Sequence, residues 1–398
     1  MPNTVHIAGL SLVVCQLRIL VSQFRVLRTG TLSEIRPDNM YQPLPHILKT
    51  KTMTQKLLLA SLILINLISC KTNQKETVIT GKVIGELPAE IIYTNPINGV
   101  CDFSFSQSVI TDSLGNFNIN LNIDSPIFIK LFAKSSLTYL EKEPIIIAES
   151  GKKYELIIDL NKDESNYSIE SEKGKIQNYY NSLSRINPRS CVYSFGKDIS
   201  DMTGLRTDIK EQKQKEISEI TAFYENGEIS EPVYQLLKLD REVYYGVALS
   251  TLASMNNVNF INNKAEVPDL VFDIWKEANS MVNLDSQNIL STNNIYDFLY
   301  LKFWYYIYTE IKYDNFVETR EKFREENKGQ TYTLSIANEL FENEILEFFT
   351  AQYIISNSRR IKQKEGDNEF SSIVDKFKEN YPNSLYNETL ESAKENFK

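Results

Sequence analysis

Histidine occurs only twice in the 398 residues, at His6 and His46. Both precede an apolar segment that begins at Leu57. The chain beyond that segment lacks the commonest general base and the commonest transition-metal ligand. Ser-His-Asp catalysis, Cys-His catalysis and histidine-based zinc sites are excluded there on inventory. Cysteines are nearly as scarce. Cys70, Cys101 and Cys191 follow the segment, and no Cys-x-x-Cys occurs anywhere. With Cys70 committed elsewhere, two thiols are too few for a thiolate zinc site. Cys101 follows Asn98-Gly99-Val100 and Cys191 follows Pro188-Arg189-Ser190, both loop-like contexts. In an oxidising compartment this pair could close a disulfide, worth ~4–5 kcal/mol for a loop of that length. Two unpaired thiols is the simpler expectation. Neither has a resolving partner nearby, so a redox role is not expected. No metal and no cofactor is expected.

Other chemistry-bearing groups have a functional and a plain reading. The run Tyr296, Phe298, Tyr300, Phe303, Trp304, Tyr305, Tyr306, Tyr308 could be a wall on which sugars or peptides stack. It could equally be a helix buried on most sides. The aromatics occupy too many faces for one stripe, so core packing is expected. Lys302 and Glu310 argue against a membrane span. Trp275 reads as a core anchor. Glu339, Glu342, Glu344 and Glu347 read as a solvated helix face, because a glycosidase pair needs a spatial separation that spacing does not supply. The Lys/Glu alternation from Lys210 to Glu219 reads as surface ion pairs. No phosphate-cradling glycine loop, Walker motif or acidic calcium loop is present.

Cys70 closes the stretch MTQKLLLASLILINLISC, residues 53–70. Met53 and Lys56 make a short basic start, Leu57 to Ile65 is nearly all apolar, and a small residue precedes Cys70. That is secretory-signal grammar. The apolar stretch is shorter than the ~20 residues of a spanning helix. Leu67-Ile68-Ser69-Cys70 resembles the lipobox of bacterial lipoproteins. The resemblance implies cleavage before Cys70, a diacylglyceryl group on its sulfur, and a fatty acid such as palmitate on the new amino terminus. Several acyl chains, at ~0.8 kcal/mol per buried CH₂, would make attachment effectively permanent.

Residues 1–52 do not fit a signal that should open the chain. Ile7 to Leu27 is apolar but interrupted by Arg18 and Arg25. The expectation is a misassigned start, with Met53 the initiator. An amphipathic leader or a transmembrane helix is the alternative. Within residues 1–70 only Glu34 and Asp38 are acidic, so the remainder is more acidic than the formal charge of −9 suggests. Nucleic acid needs a basic footprint and is not expected as a partner. Adhesion to anionic lipid by charge alone is not expected either.

After a polar tether at residues 70–76, short β-type runs follow: Val78–Ile84, Glu90–Thr94, Ser104–Ile110, Asn116–Ile123, Ile127–Ala133, Pro144–Ala148 and Lys153–Leu160. Phe117, Ile119, Leu121 and Ile123 alternate with asparagines, as in a half-buried strand. Asp112-Ser113-Leu114-Gly115-Asn116 carries turn chemistry. Their spacing predicts an antiparallel sandwich or barrel over residues 77–170. From Gly174 the period is helical. Helices are expected over 174–187, 198–226, 230–254, 268–282, 293–313, 315–327, 331–364, 368–379 and from 383 towards 397. The fold class is therefore α+β, with a β domain followed by an all-α domain at 171–398.

The β segment also resembles a domain of unknown function in lipoproteins of certain Gram-negative bacteria, where it precedes a helical linker and a thioredoxin-like domain. The resemblance rests on Ile79-Thr80-Gly81-Lys82-Val83, Thr111-Asp112-Ser113, Gly115-Asn116-Phe117, and Ile145-Ile146-Ile147 with Gly151-Lys152. Towards the C-terminus, Phe377 and Tyr381-Pro382-Asn383-Ser384 resemble the segment before the redox domain. This implies an envelope protein on the periplasmic side of the outer membrane, a placement also suggested by the lack of acidic residues in Lys71–Lys75. The sequence ends where the thioredoxin-like domain would begin. Two roles follow: a non-enzymatic binding or scaffolding module for envelope proteins or glycans, or a truncated or accessory member of a thiol-disulfide interchange family. A third, a histidine-free hydrolase or glycan binder, would require a deep pocket with clustered carboxylates or exposed aromatic rings.

Overall fold

A computed structural model describes residues 76–94, 106–140, 143–161, 166–170, 174–183, 187–361 and 368–394, with side chains 358–361 and 368 left aside. The leader, the signal segment, Leu67, Ile68, Ser69, Cys70, most of the tether and Cys101 lie outside the described residues. The described residues belong to one compact unit.

The β half has eight strands: β1 (Thr77–Ile84), β2 (Glu90–Thr94), β3 (Ser106–Ile110), β4 (Asn116–Leu121), β5 (Ile127–Lys134), β6 (Ile145–Ala148), β7 (Lys153–Asp159) and β8 (Asn166–Glu170). They make two four-stranded sheets, in the orders β4-β1-β7-β8 and β3-β2-β5-β6. The expected sandwich is present, with two differences. Strand β8, polar and five residues long, carries too little alternation to be read from sequence. And β1 runs parallel to β7, whereas the other pairs are antiparallel. The chain passes through the whole second sheet between β1 and β7, which leaves ample length for a parallel crossover.

The alternation in β4 works as read. Phe117, Ile119 and Leu121 point inward, and Asn118 and Asn120 point to solvent. They meet Ile79, Leu156 and Ile158 of their own sheet and Ile91, Ile129, Leu131 and Ile146 of the other. Before β4, Asp112 Oδ1 accepts from the backbone N–H of Leu114 (2.8 Å) and Asn116 (2.8 Å). Gly115 sits there at φ +85°, in the left-handed region. This Asx turn sets the register of the β4–β1 pair.

The helical half contains α1 (Gly174–Ser182), α2 (Met202–Glu225), α3 (Glu231–Asn262), α4 (Asp269–Met281), α5 (Ile295–Tyr306), α6 (Tyr313–Glu325), α7 (Gly329–Leu340), α8 (Asn343–Ile361), α9 (Asn368–Asn380) and α10 (Asn387–Lys394), with a 3-10 turn at Pro188–Tyr193. The expected helix over 331–364 is in fact two. The break falls at Phe341-Glu342, where Asn343 takes φ 50°, a conformation Asn tolerates better than most residues. No Gly or Pro signals it. Burial of Phe341 against Phe349, ring centroids 4.9 Å apart, overrides the local helix preference. The helix expected over 293–313 likewise stops at Tyr306, and a π turn over Ile307–Ile311 follows.

Strand β6 shows how the two halves join. Its sequence Ile-Ile-Ile-Ala is buried on both faces. Ile146 and Ala148 face the sandwich core. Ile145 and Ile147 face the other way, with Phe128, onto Ile176, Tyr180, Ile220, Val233 and Leu236 of the helices. Phe128 and Tyr180 stack at 5.1 Å. β6 is also an edge strand, and two amides one turn apart on α1 cover that edge. Gln177 accepts from Ile147 N–H (3.0 Å) and donates to Ile147 C=O (2.9 Å). Asn181 does the same for Ile145, at 2.9 and 2.8 Å. Side chains thus replace a neighbouring strand and satisfy backbone groups that would each cost about 1–3 kcal/mol if buried unpaired.

A buried polar cluster holds α1, α2 and α3 together. Arg241, on α3, donates to Asp240 Oδ2 (2.6 Å) and lies 3.5 Å from Glu216 on α2. Its guanidinium also sits over the rings of Tyr244 (4.6 Å) and Tyr180 (5.4 Å). Asp240 accepts in addition from Tyr180 Oη (2.9 Å) and from Asn293 N–H (2.9 Å). Burial works against the charge on Arg241, but Asp240, Tyr180 and Glu216 outweigh it and raise its pKa. The surface-pair reading of Lys210–Glu219 is corrected here: Glu216 is buried, and Lys210 reaches across to Glu277 on α4 at 2.7 Å.

Candidate ligand-binding site

Helical spacing places Tyr296, Tyr300 and Trp304 on one stripe of α5, at i, i+4 and i+8. Phe298 and Leu299, between them, are fully buried in the core. The stripe forms one wall of a cavity of about 570 Å³, a volume in the range of small-molecule sites. Phe303 and Phe316 also line it. Arg320, one turn beyond Phe316 on α6, lines it too. Gln330 and Thr333 come from α7, and Tyr353, Ser356 and Asn357 from α8. The short turn at 188–193 brings in Arg189, with Asn187 before it. Five elements thus converge on the cavity.

The expectation for the aromatic run is accordingly corrected in part. Phe298 and Phe303 are core residues, and Tyr305 and Tyr308 pack on Trp275 at 5.7 and 5.9 Å, so Trp275 is the anchor expected. Tyr296, Tyr300 and Trp304 are only partly buried, and they face the cavity. Rings pointing both ways blurred the periodicity, because core and cavity flank the same helix.

The polar groups of the cavity are positively biased. Arg189 Nη2 donates to Asp297 Oδ1 at 2.7 Å, and its guanidinium stands over Tyr300 at 5.4 Å. Its Nε is buried and meets no acceptor. Arg320 Nε donates to Thr333 Oγ1 at 3.2 Å. The Tyr353 hydroxyl donates to Gln330 Oε1. Burial pushes that phenol up to about 12, while the nearby Arg320 charge pulls the other way. Tyr296 is also pushed up by burial, and its hydroxyl meets Ser356. Asp297, the one carboxylate of the lining, is held by Arg189.

The other expected groups lie elsewhere. Cys191 is a free, buried thiol. Burial raises its pKa, and its sulfur meets Tyr244 and Ser194. Its proposed disulfide partner, Cys101, is outside the described residues. Glu339, Glu342 and Glu344 are exposed and Glu347 half-buried, and none lines the cavity. Among the described residues no group of three or more His, Cys, Asp or Glu could hold a metal ion. No described helix is long and apolar enough to cross a membrane. A second cleft, about 650 Å³, lies between the Asp124-Ser125-Pro126 loop and the start of α3. Its walls are mostly charged and polar side chains, of which Asp124, Glu231, Gln235 and Gln287 are exposed, and no aromatic ring lines it. Arg189, Arg320, Gln330 and Tyr353 were not singled out by sequence as cavity residues. The faint signal was the spacing of Phe316 and Arg320, which shares one face of α6.

No protein family, no curated protein and no solved structure matches this chain.

Proposed function

We propose that the protein is a lipid-anchored binding protein of the cell envelope, tethered through Cys70, whose helical half holds a small molecule. The observation that carries the binding role is the cavity walled by Tyr296, Tyr300 and Trp304 and furnished with Arg189 and Arg320. Partly exposed aromatic rings beside fixed polar groups are the usual makeup of a small-molecule site. The anchoring half of the reading is supported by the lipobox-like Leu67-Ile68-Ser69-Cys70 and by the tether that separates it from β1. Placement on the periplasmic face of the outer membrane, with envelope glycans or small metabolites as what the cavity samples, belongs to the same proposal.

The test is a thermal-unfolding screen of the purified protein against neutral saccharides, sugar acids, aromatic acids, amines and short peptides. At least one class should raise the midpoint, because a ligand at a hundred times its Kd adds about 2.7 kcal/mol. Trp304→Ala should abolish that rise. A flat response to every class, or a rise unaffected by Trp304→Ala, would remove the cavity from the account.

A further inference from the structure

We infer that the cavity selects a ring-containing organic anion, a carboxylate held by the guanidinium groups of Arg189 and Arg320 while its ring lies on the Tyr300–Trp304 wall. This rests on the binding role proposed above and adds the class of ligand.

Three observations carry it. The first is charge. The lining has two arginines and one carboxylate, so it is net positive in a chain whose formal charge is −9. The net negative chain repels an anion at long range, but at contact, where aromatic walls exclude water, two guanidinium groups against one carboxylate favour a bound anion. The second is unused donors. Arg189 spends Nη2 on Asp297 and keeps a buried Nε without an acceptor. Arg320 spends Nε on Thr333, and its terminal nitrogens meet no protein acceptor among the described residues. A planar guanidinium fork matches a carboxylate in two parallel hydrogen bonds, which a neutral ligand cannot supply. The third is shape. Tyr296, Tyr300 and Trp304 line one side of the cavity, with Tyr300 and Trp304 edge to face at 75°, so a flat ring or the apolar face of a sugar meets the face of one ring and the edge of the next. Gln330, Ser356 and Asn357 line the same cavity as partners for hydroxyls. A phosphate could use the same donors, so the test separates the two oxyanions.

The experiment is ligand-observed NMR with the full chain in detergent. The probes are glucuronate against glucose, 3-phenylpropionate against its amide, and glucose 6-phosphate. The acids should bind about tenfold or more tightly than their neutral counterparts, as expected for one charge-assisted bond. Arg320→Gln should remove that advantage, weakening the acids about tenfold more than their neutral counterparts. Arg320 is half-exposed and bonds only Thr333, so this variant is expected to fold. Arg189→Gln combined with Asp297→Asn keeps the local charge balance and should act in the same direction. Neutral members binding as well as acids would overturn the ligand class while leaving a binding module standing. So would equal weakening of both by Arg320→Gln. Preference for the phosphate over both acids would overturn the carboxylate assignment. Silence from all five probes would overturn it too, and the wider unfolding screen then decides separately whether the cavity binds anything.

Discussion

Replacing Arg241 with methionine is expected to destabilise the protein by about 3–5 kcal/mol, measured by urea denaturation at neutral pH. The residue is 5% exposed, and the carboxylates of Asp240 and Glu216 are buried beside it. Methionine would fill much of the volume but leave those carboxylates without a counter-ion. Tyr180 and Asn293 would still donate to Asp240, which lessens the loss without cancelling it. The contrast is Arg206, whose ion pair with Glu277 (2.6 Å) is about one third exposed. Arg206→Met should cost less than about 1 kcal/mol. Adding Asp240→Asn and Glu216→Gln to Arg241→Met should recover part of the stability, because the uncompensated charge is then gone. Equal effects for Arg241→Met and Arg206→Met would show that the cluster is not the joint described.

Gly81→Val is expected to cost about 3 kcal/mol by the same measurement, from forced displacement in a close-packed sheet. Gly81 lies at the middle of β1, opposite Phe117 on β4 and Leu156 on β7. A Cβ there would collide with the Leu156 carbonyl oxygen and with the Phe117 ring. The ring can move and the carbonyl cannot, because it belongs to the sheet backbone. Adding Phe117→Leu should therefore restore only part of the loss. Gly174→Ala is the control. At the start of α1, the nearest atom to an added Cβ would be 3.4 Å away, so its effect should stay within about 0.5 kcal/mol.

Much of the architecture was legible because it depends on local periodicity. The Phe117–Leu121 alternation and the Asp112–Asn116 turn act within one strand and its neighbour, and the strand they predict is there. The Ile-Ile-Ile of β6 read correctly as a strand, but nothing local said that both faces would be covered. Its edge cover, Gln177 and Asn181, looks like an ordinary polar pair on a helix until the strand beside it is known. The break between α7 and α8 was invisible, since it arises from Phe341 packing on Phe349 and not from a helix breaker. Glu216 looked like a surface charge for the same reason, and nothing local to Arg241 signalled burial. Their burial is decided by the crossing of α2 and α3, which no window of sequence contains.

The cavity was half legible. The aromatics of α5 were conspicuous, but Tyr296, Tyr300 and Trp304 were mixed with Phe298 and Phe303, which serve the core. Arg189 and Arg320 lie on different elements far apart in sequence, and only folding brings them to one lining. Chemistry that needs a motif of fixed spacing can be read from a chain; a site assembled from five elements by side chains of common types cannot.

The claim on which the functional account stands is that this binding fold is carried on a lipid at Cys70, and the intact mass of the membrane-extracted protein tests it most directly. The account predicts a chain that begins at Cys70 and is heavier than its amino acids by a diacylglyceryl group and an amide-linked fatty acid. An unmodified chain that retains residues 1–69 would contradict it.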